Sequence, residues 1–259
     1  MDARLRLAAL LLACCAWFPA AHAFDHAHAA WDRLVKRHVV VLDGGRASQL
    51  RYAGMAQDRQ ALAAYLAGLS AVTQAQFDGW AREAQLAFLI NAYNAFTVEK
   101  VLSRYPDLRS IWDFGKLFGN PFRDEFFVLL GERSSLDRIE HRILRKRYRE
   151  PRLHYALNCA SVGCPMLREE AYQGEHLERQ LEEQARRFLS DRTRNRLRAG
   201  RLEVSRIFDW FAEDFEPRAA YFARHADLLA DDAAGRAQVA AAPVSFLDYD
   251  WALNDAAGR

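Results

Sequence analysis

The chain has 259 residues, 51% hydrophobic and 27% charged, with 13 Gly, 7 Pro and 4 Cys. That composition excludes collagen-like, mucin-like and wholly disordered chains. A formal net charge of +2, from 36 basic and 34 acidic residues, gives no electrostatic basis for a dedicated nucleic-acid binder.

Residues 1–23 read as an export signal. Arg4 and Arg6 precede an apolar run from Leu7 to Phe18, and Ala21-His22-Ala23 comes after it as a cleavage site. The run is long enough for a signal-peptide core but short of the roughly twenty residues of a spanning helix. The mature chain is therefore expected to begin at Phe24, to be periplasmic or secreted, and to keep no stable membrane span. An acylation site at Leu11-Leu12-Ala13-Cys14 fits less well, because the apolar run continues past Cys14. Cys14 and Cys15 leave with the signal, so the exported protein keeps two cysteines, Cys159 and Cys164.

The mature part shows no repeat, low-complexity tract or linker and reads as one domain. A helix is expected around Ala30–Arg37, then a Gly44-Gly45 turn. Asp58 caps a helix to about Ala71, and Thr73 starts another near Trp80. In the next helix, about Glu83 to Arg104, Leu86, Leu89, Ile90, Tyr93, Phe96, Val98, Val101 and Leu102 wrap nearly all the way round. A helix apolar on every side is a buried, central one. Tyr105-Pro106 ends it, and 106–122 is irregular. Glu125–Leu130 reads as a strand closed by Gly131. Ser135 caps a helix to about Arg147, and Leu153–Asn158 reads as a second strand. A turn through Gly163 comes next, with Cys164 as N-cap of a helix opened by Pro165. An amphipathic helix covers about Glu175–Ser190. Leu202–Ser205 is a short strand, Ser205 leads a helix through Trp210, helices fill 217–240, and Val244–Asp250 is a last strand. Strands and helices do not alternate regularly, so the fold class is α+β: mostly helical, one domain, with a central buried helix and a small, largely antiparallel sheet. The locally basic stretches Arg142–Arg152 and Arg186–Arg201 both contain acidic residues and read as solvated faces. With export, this excludes nucleic acid as a partner.

Candidate chemistry clusters in the middle third. On a strand, His154, Ala156 and Asn158 share a face. Cys159 lies where the chain leaves it, and Cys164, at a helix start, would meet N–H groups and a positive dipole that favour thiolate. The opposing reading is a Cys159–Cys164 disulfide stapling the turn, since five residues can close to bonding distance and export compartments are oxidising. Around Glu140 the apolar residues Leu136, Ile139, Ile143 and Leu144 form a helical arc. A carboxylate there needs a partner, and the simplest is an arginine in a buried ion pair. The sharper reading makes Glu140 or its neighbour His141, with Asp137 and Arg145 at i−4 and i+4, an acid/base or orienting group for a thiol. Asn91 and Asn94, one turn apart on the buried helix, are expected to satisfy loop backbone. Cys159, Cys164, His141 and His154 have zinc-ligand chemistry without a standard spacing. Nucleotide-loop, G-x-S-x-G and H-E-x-x-H motifs do not occur, so no cofactor is implied.

At these residues a resemblance emerges. Asn91-Ala92-Tyr93-Asn94-Ala95, Ile139-Glu140-His141, His154 through Pro165, Ser205 through Phe211 and Tyr249 through Asn254 together resemble the family of domain of unknown function 547 (DUF547). The resemblance makes 80–254 a DUF547-like core, preceded by a helical part at 24–79 and succeeded by a tail at 255–259. Members of that family look like exported bacterial proteins and, elsewhere, parts of larger plant proteins, and the resemblance implies no established catalytic residue. The residues support two functions. One is a thiol-dependent hydrolase or acyl transferase of the cell envelope. In it Cys159 or Cys164 attacks, His154 or His141 takes the proton, and Asn158 or Glu140 orients the base. Against it, the buried helix carries no cysteine at its start, where papain-like enzymes place theirs. The other is a non-catalytic binding module with a structural disulfide. The partner in either case is an envelope substrate or protein that the sequence does not name.

Overall fold

The computed structural model describes residues 24–115 and 119–256, so the expected signal at 1–23 lies outside the described residues. The chain opens with α1 (Ala29–His38), an antiparallel hairpin of β1 (Val39–Leu42) and β2 (Ala47–Leu50), and α2 (Tyr52–Gln57). The hairpin turns through Asp43, Gly44 and Gly45, all at positive φ. Its strands went unread because four-residue runs show too little alternation. Next come α3 (Arg59–Ala71), α4 (Gln74–Asp78) and α5 (Arg82–Leu102). At α4 the expected start at Thr73 is a full capping box with Gln76.

Helix α5 is the expected central helix: every residue from Leu86 to Val98 is buried. Around it pack Trp31, Leu34 and Val35 of α1, Leu62, Leu66 and Leu69 of α3, and Leu136, Ile139 and Leu144 further on. Beyond α5, β3 (Phe127–Leu129) and β4 (Glu132–Ser134) form a second antiparallel hairpin. Ser135 does cap the next helical segment, its hydroxyl accepting from the Arg138 amide at 3.1 Å. The segment Arg138–Leu144, however, is π-helical and returns to α geometry only in α6 (Arg145–Arg147). Extra-wide turns of this kind frequently occur at functional sites.

Two expected elements are absent. Leu153–Asn158 is not a strand: α7 (Leu153–Ala156) is a single helical turn, so His154, Ala156 and Asn158 do not share a strand face. All six residues are buried, and an apolar run buried on every side carries no period that separates strand from helix. Nor does a helix start at Pro165, so Cys164 caps nothing; 157–173 is irregular. Its backbone groups must still be satisfied, and side-chain amides do this. Asn94 of α5 takes the Ala156 carbonyl and the Asn158 N–H (3.0 and 2.8 Å), and Asn91 takes both backbone groups of Tyr172 (2.7 and 3.0 Å). From α8 (Leu177–Leu189), Gln184 bonds the Met166 carbonyl and Gln180 that of Ala171, both at 2.8 Å. The asparagines thus hold loop backbone as expected.

The C-terminal part runs through β5 (Arg196–Arg198), β6 (Arg201–Val204), α9 (Ile207–Trp210), α10 (Arg218–Arg224), α11 (Ala226–Leu229), α12 (Ala233–Val239) and β7 (Val244–Phe246). β5 and β6 pair antiparallel, and β7 joins β6 in parallel. This part has its own aromatic core, in which Tyr155 of α7 packs with Phe188, Phe208, Phe215, Tyr221 and Phe222. The architecture is mostly helical α+β, with small sheets dominated by antiparallel pairs. Among the described residues no helix is long and apolar enough to cross a membrane.

Candidate functional site

A cleft of about 470 Å³ is lined by residues of both cores, including Leu157 of the first and Ile207 of the second. Cys159, Cys164, Glu140, His141 and His154 all reach it, and its walls include Trp112, Phe122, Trp210, Phe211, Tyr249 and Trp251. Of the six candidates read from sequence, only Asn158 stays out. Its amide donates to the Pro165 carbonyl at 2.8 Å and accepts from the Ala160 N–H at 3.0 Å, closing the loop that carries both cysteines.

The two cysteines are not joined in a disulfide. The Cys159 N–H donates to the Cys164 sulfur at 2.8 Å, and the Cys164 thiol lies 3.7 Å from the Leu157 carbonyl. The sulfurs differ in character. Burial works to raise the Cys159 thiol, but hydrogen bonding from the Cys164 and Tyr249 side chains and the Ser161 backbone outweighs it and brings the pKa to about 7. Burial and the neighbouring Cys159 push Cys164 well above its ordinary range. Cys159 is therefore the more acidic thiol of the pair, its acidity set by hydrogen-bond donors and not by a helix dipole.

Glu140 comes from the π-helical segment, its side chain 14% exposed. Burial first, then the charge of Cys159, raises its carboxyl to about 7, against a hydrogen bond from Tyr93. Among the described residues Glu140 does not form the expected ion pair with an arginine. Arg145 instead bonds Asp214 at 2.5 Å through Nε, and Glu213, and donates to Nδ1 of His141 at 2.9 Å. His141 is thus held by Arg145 at the expected i+4 spacing, with its pKa lowered chiefly by burial.

His154 is almost fully buried under the Phe211 ring, at 4.1 Å. Its Nε2 lies 2.6 Å from Asp214 and its Nδ1 4.0 Å from Glu140. A carboxylate only accepts, so the proton sits on Nε2 and the Nδ1 lone pair faces Glu140. Burial lowers the His154 pKa despite Asp214, which keeps the ring neutral. Asp214 itself is opposed by burial but held down to about 2 by the His154 and Arg145 hydrogen bonds. The acid–base groups thus run from Cys159 through Glu140 and His154 to Asp214 and Arg145. Among the described residues no group of three His, Cys, Asp or Glu side chains is placed to hold a metal ion.

Sequence reasoning missed Asp214, Tyr93 and Tyr249. Asp214 lies just beyond the Ser205–Phe211 run, at no motif spacing. Tyr93 reads as core between two asparagines. Tyr249 opens the C-terminal run that carried part of the resemblance, and that was its only signal.

Fold and cleft together define an α+β protein with a thiol, a carboxyl and an imidazole–carboxylate pair in one aromatic-walled pocket. The stretch that supplies Glu140, His154, Cys159 and Cys164, residues 77–189, matches the family model described as Protein of unknown function, DUF547, and belongs to that family. Comparison with curated proteins and with solved structures returns no match.

Proposed function

We propose that this is an exported cell-envelope protein whose cleft performs thiol-dependent acyl transfer or hydrolysis with Cys159 as nucleophile. The observation that carries the reading is one cleft lined by both a sulfur, with its thiol brought down to about 7, and a carboxyl brought up to about 7 by burial and the charge of that sulfur. Groups poised near neutral pH are what nucleophilic and acid–base work requires.

The thiol proton passes to Glu140, giving thiolate and carboxylic acid. The thiolate attacks an acyl carbon, a C–S bond forms, and the carbonyl electron pair moves to oxygen. Collapse breaks the bond to the leaving group, which takes the Glu140 proton. Water, or a second acceptor, then attacks the thioester and gives a proton back to Glu140, and the acyl product leaves as the thiolate is restored. His154, fixed by Asp214, turns its Nδ1 lone pair toward Glu140 from 4.0 Å away. The aromatic walls exclude water and meet the rest of the substrate.

The test uses p-nitrophenyl acetate with the mature protein. The expected result is release of nitrophenolate together with an acetyl group on Cys159, found by peptide mass spectrometry and lost in Cys159→Ser. Nitrophenolate release that persists in Cys159→Ser, or no acetyl at Cys159, would sink the reading and leave the cleft as a binding site.

A further inference from the structure

We infer that Tyr249 is a further catalytic residue of this site, its phenol donating a hydrogen bond to the Cys159 sulfur, with Gly163 as the residue that lets the C-terminal segment bring it there. The inference rests on the reading of Cys159 as nucleophile. Two independent observations carry it. The Tyr249 hydroxyl lies 3.3 Å from Cys159 Sγ, within range of a sulfur hydrogen bond. The segment that carries Tyr249 is also laid directly on the cysteine loop by backbone bonds. The Gly163 N–H donates to the Asp250 carbonyl and the Val162 N–H to that of Ala252, both at 2.8 Å, and the Asn254 N–H donates to the Ala160 carbonyl at 3.0 Å.

That approach leaves no room for a side chain at 163. A Cβ on Gly163 would stand 2.9 Å from the Asp250 nitrogen, 3.1 Å from its oxygen and 3.1 Å from Cδ1 of Tyr249. The first two are backbone atoms and cannot swing aside. Glycine here is needed for proximity: φ at 163 is not among the positive values. On its outer side the Tyr249 ring packs against Trp251 and Trp210, at 4.5 and 4.9 Å, so the hydroxyl is aimed by packing as well as by the backbone.

Burial and the charge of Cys159 keep the phenol protonated, so it faces the thiolate as a donor only. Cys164, Glu140, Tyr93 and Tyr52 also act on this sulfur. The Cys159 amide is already bonded to Cys164. As the thiolate attacks, charge leaves sulfur for the carbonyl oxygen, and the phenol is a side-chain donor next to that event.

The test is the pH profile of Cys159 alkylation by iodoacetamide in the mature protein, read by peptide mass spectrometry. Tyr249→Phe keeps the ring contacts and removes only the donor. We expect the native midpoint near 7 and a midpoint about one unit higher in Tyr249→Phe, roughly tenfold slower alkylation at a fixed lower pH. Gly163→Ala, which pushes the segment away, is expected to move the profile in the same direction. A native midpoint near 7 that Tyr249→Phe leaves unmoved overturns the role of Tyr249 while Cys159 stands. An unmoved profile in Gly163→Ala overturns the role of that glycine. A native midpoint in the ordinary thiol range overturns the activated nucleophile itself, and the proposal with it.

Discussion

Desolvation alone would hold the Cys159 thiol above its ordinary range; three hydrogen-bonding neighbours reverse the sign. Glu140 shows the mirror case, where burial and the nearby sulfur both favour the protonated acid. The two charges oppose each other, so Glu140→Gln should lower the Cys159 titration midpoint, because it removes a like charge. It should also slow acyl turnover by about 10² to 10⁴, the usual worth of a placed acid–base group. Faster alkylation with slower turnover is the expected pair of results; an unchanged alkylation midpoint would show that Glu140 does not act on the sulfur. At this scale five of the six candidate residues meet in one cleft, and the residue types and the apolar arc that singled them out are local features. Asp214 and Tyr249 were not. They lie 60 and 90 residues from the groups they touch, His154 and Cys159, and no local spacing encodes such a meeting.

Elements are joined here largely by buried side chains. Asn94 on α5 satisfies both the Ala156 carbonyl and the Asn158 N–H. Asn94→Ala leaves both buried without a partner and should destabilise the fold by about 2–4 kcal/mol, measured by chemical denaturation; a loss under ~0.5 kcal/mol would show that the loop holds itself. At the start of α1, His28 is buried at φ 49 and bonded to Tyr65 of α3 at 2.7 Å. Its pKa is lowered to about 4, chiefly by burial. The folded state therefore binds the proton less readily than the unfolded chain. The stability this ring contributes is present above pH 6.5 and lost as pH falls toward 4, about 3 kcal/mol at the limit. His28→Asn, which tolerates the left-handed backbone, should flatten stability over that window. An equally steep acid loss in the variant would clear His28. Helices were the more legible elements: α5 announced itself by apolar residues on every side, and α4 by the Thr73 start. Strands were legible in part: β3, β6 and β7 fall where strands were expected, whereas β1, β2, β4 and β5 are three- or four-residue runs with almost no period, and the π-helical segment was hidden because α and π turns share one apolar arc.

Across the whole molecule, one face of the cleft comes from the family-matched stretch 77–189 and the other from residues beyond it, including Trp210, Phe211, Tyr249 and Trp251. The site is therefore a property of both cores held together. Acid should open it as well: Asp214, held down to about 2, contributes stability above its unfolded pKa that is lost as pH falls toward 2. Export is tested by the intact mass of the periplasmic protein, expected to begin at Phe24; a chain recovered with Met1 would contradict the signal reading. The claim on which the rest depends is that Cys159 is a thiolate at neutral pH. It is tested most directly, without any reagent, by the ultraviolet thiolate absorbance of the mature protein minus that of Cys159→Ser as pH is raised. The account predicts a difference signal half-developed near pH 7. A signal that develops only in the ordinary thiol range, about 8.5 or above, would contradict it.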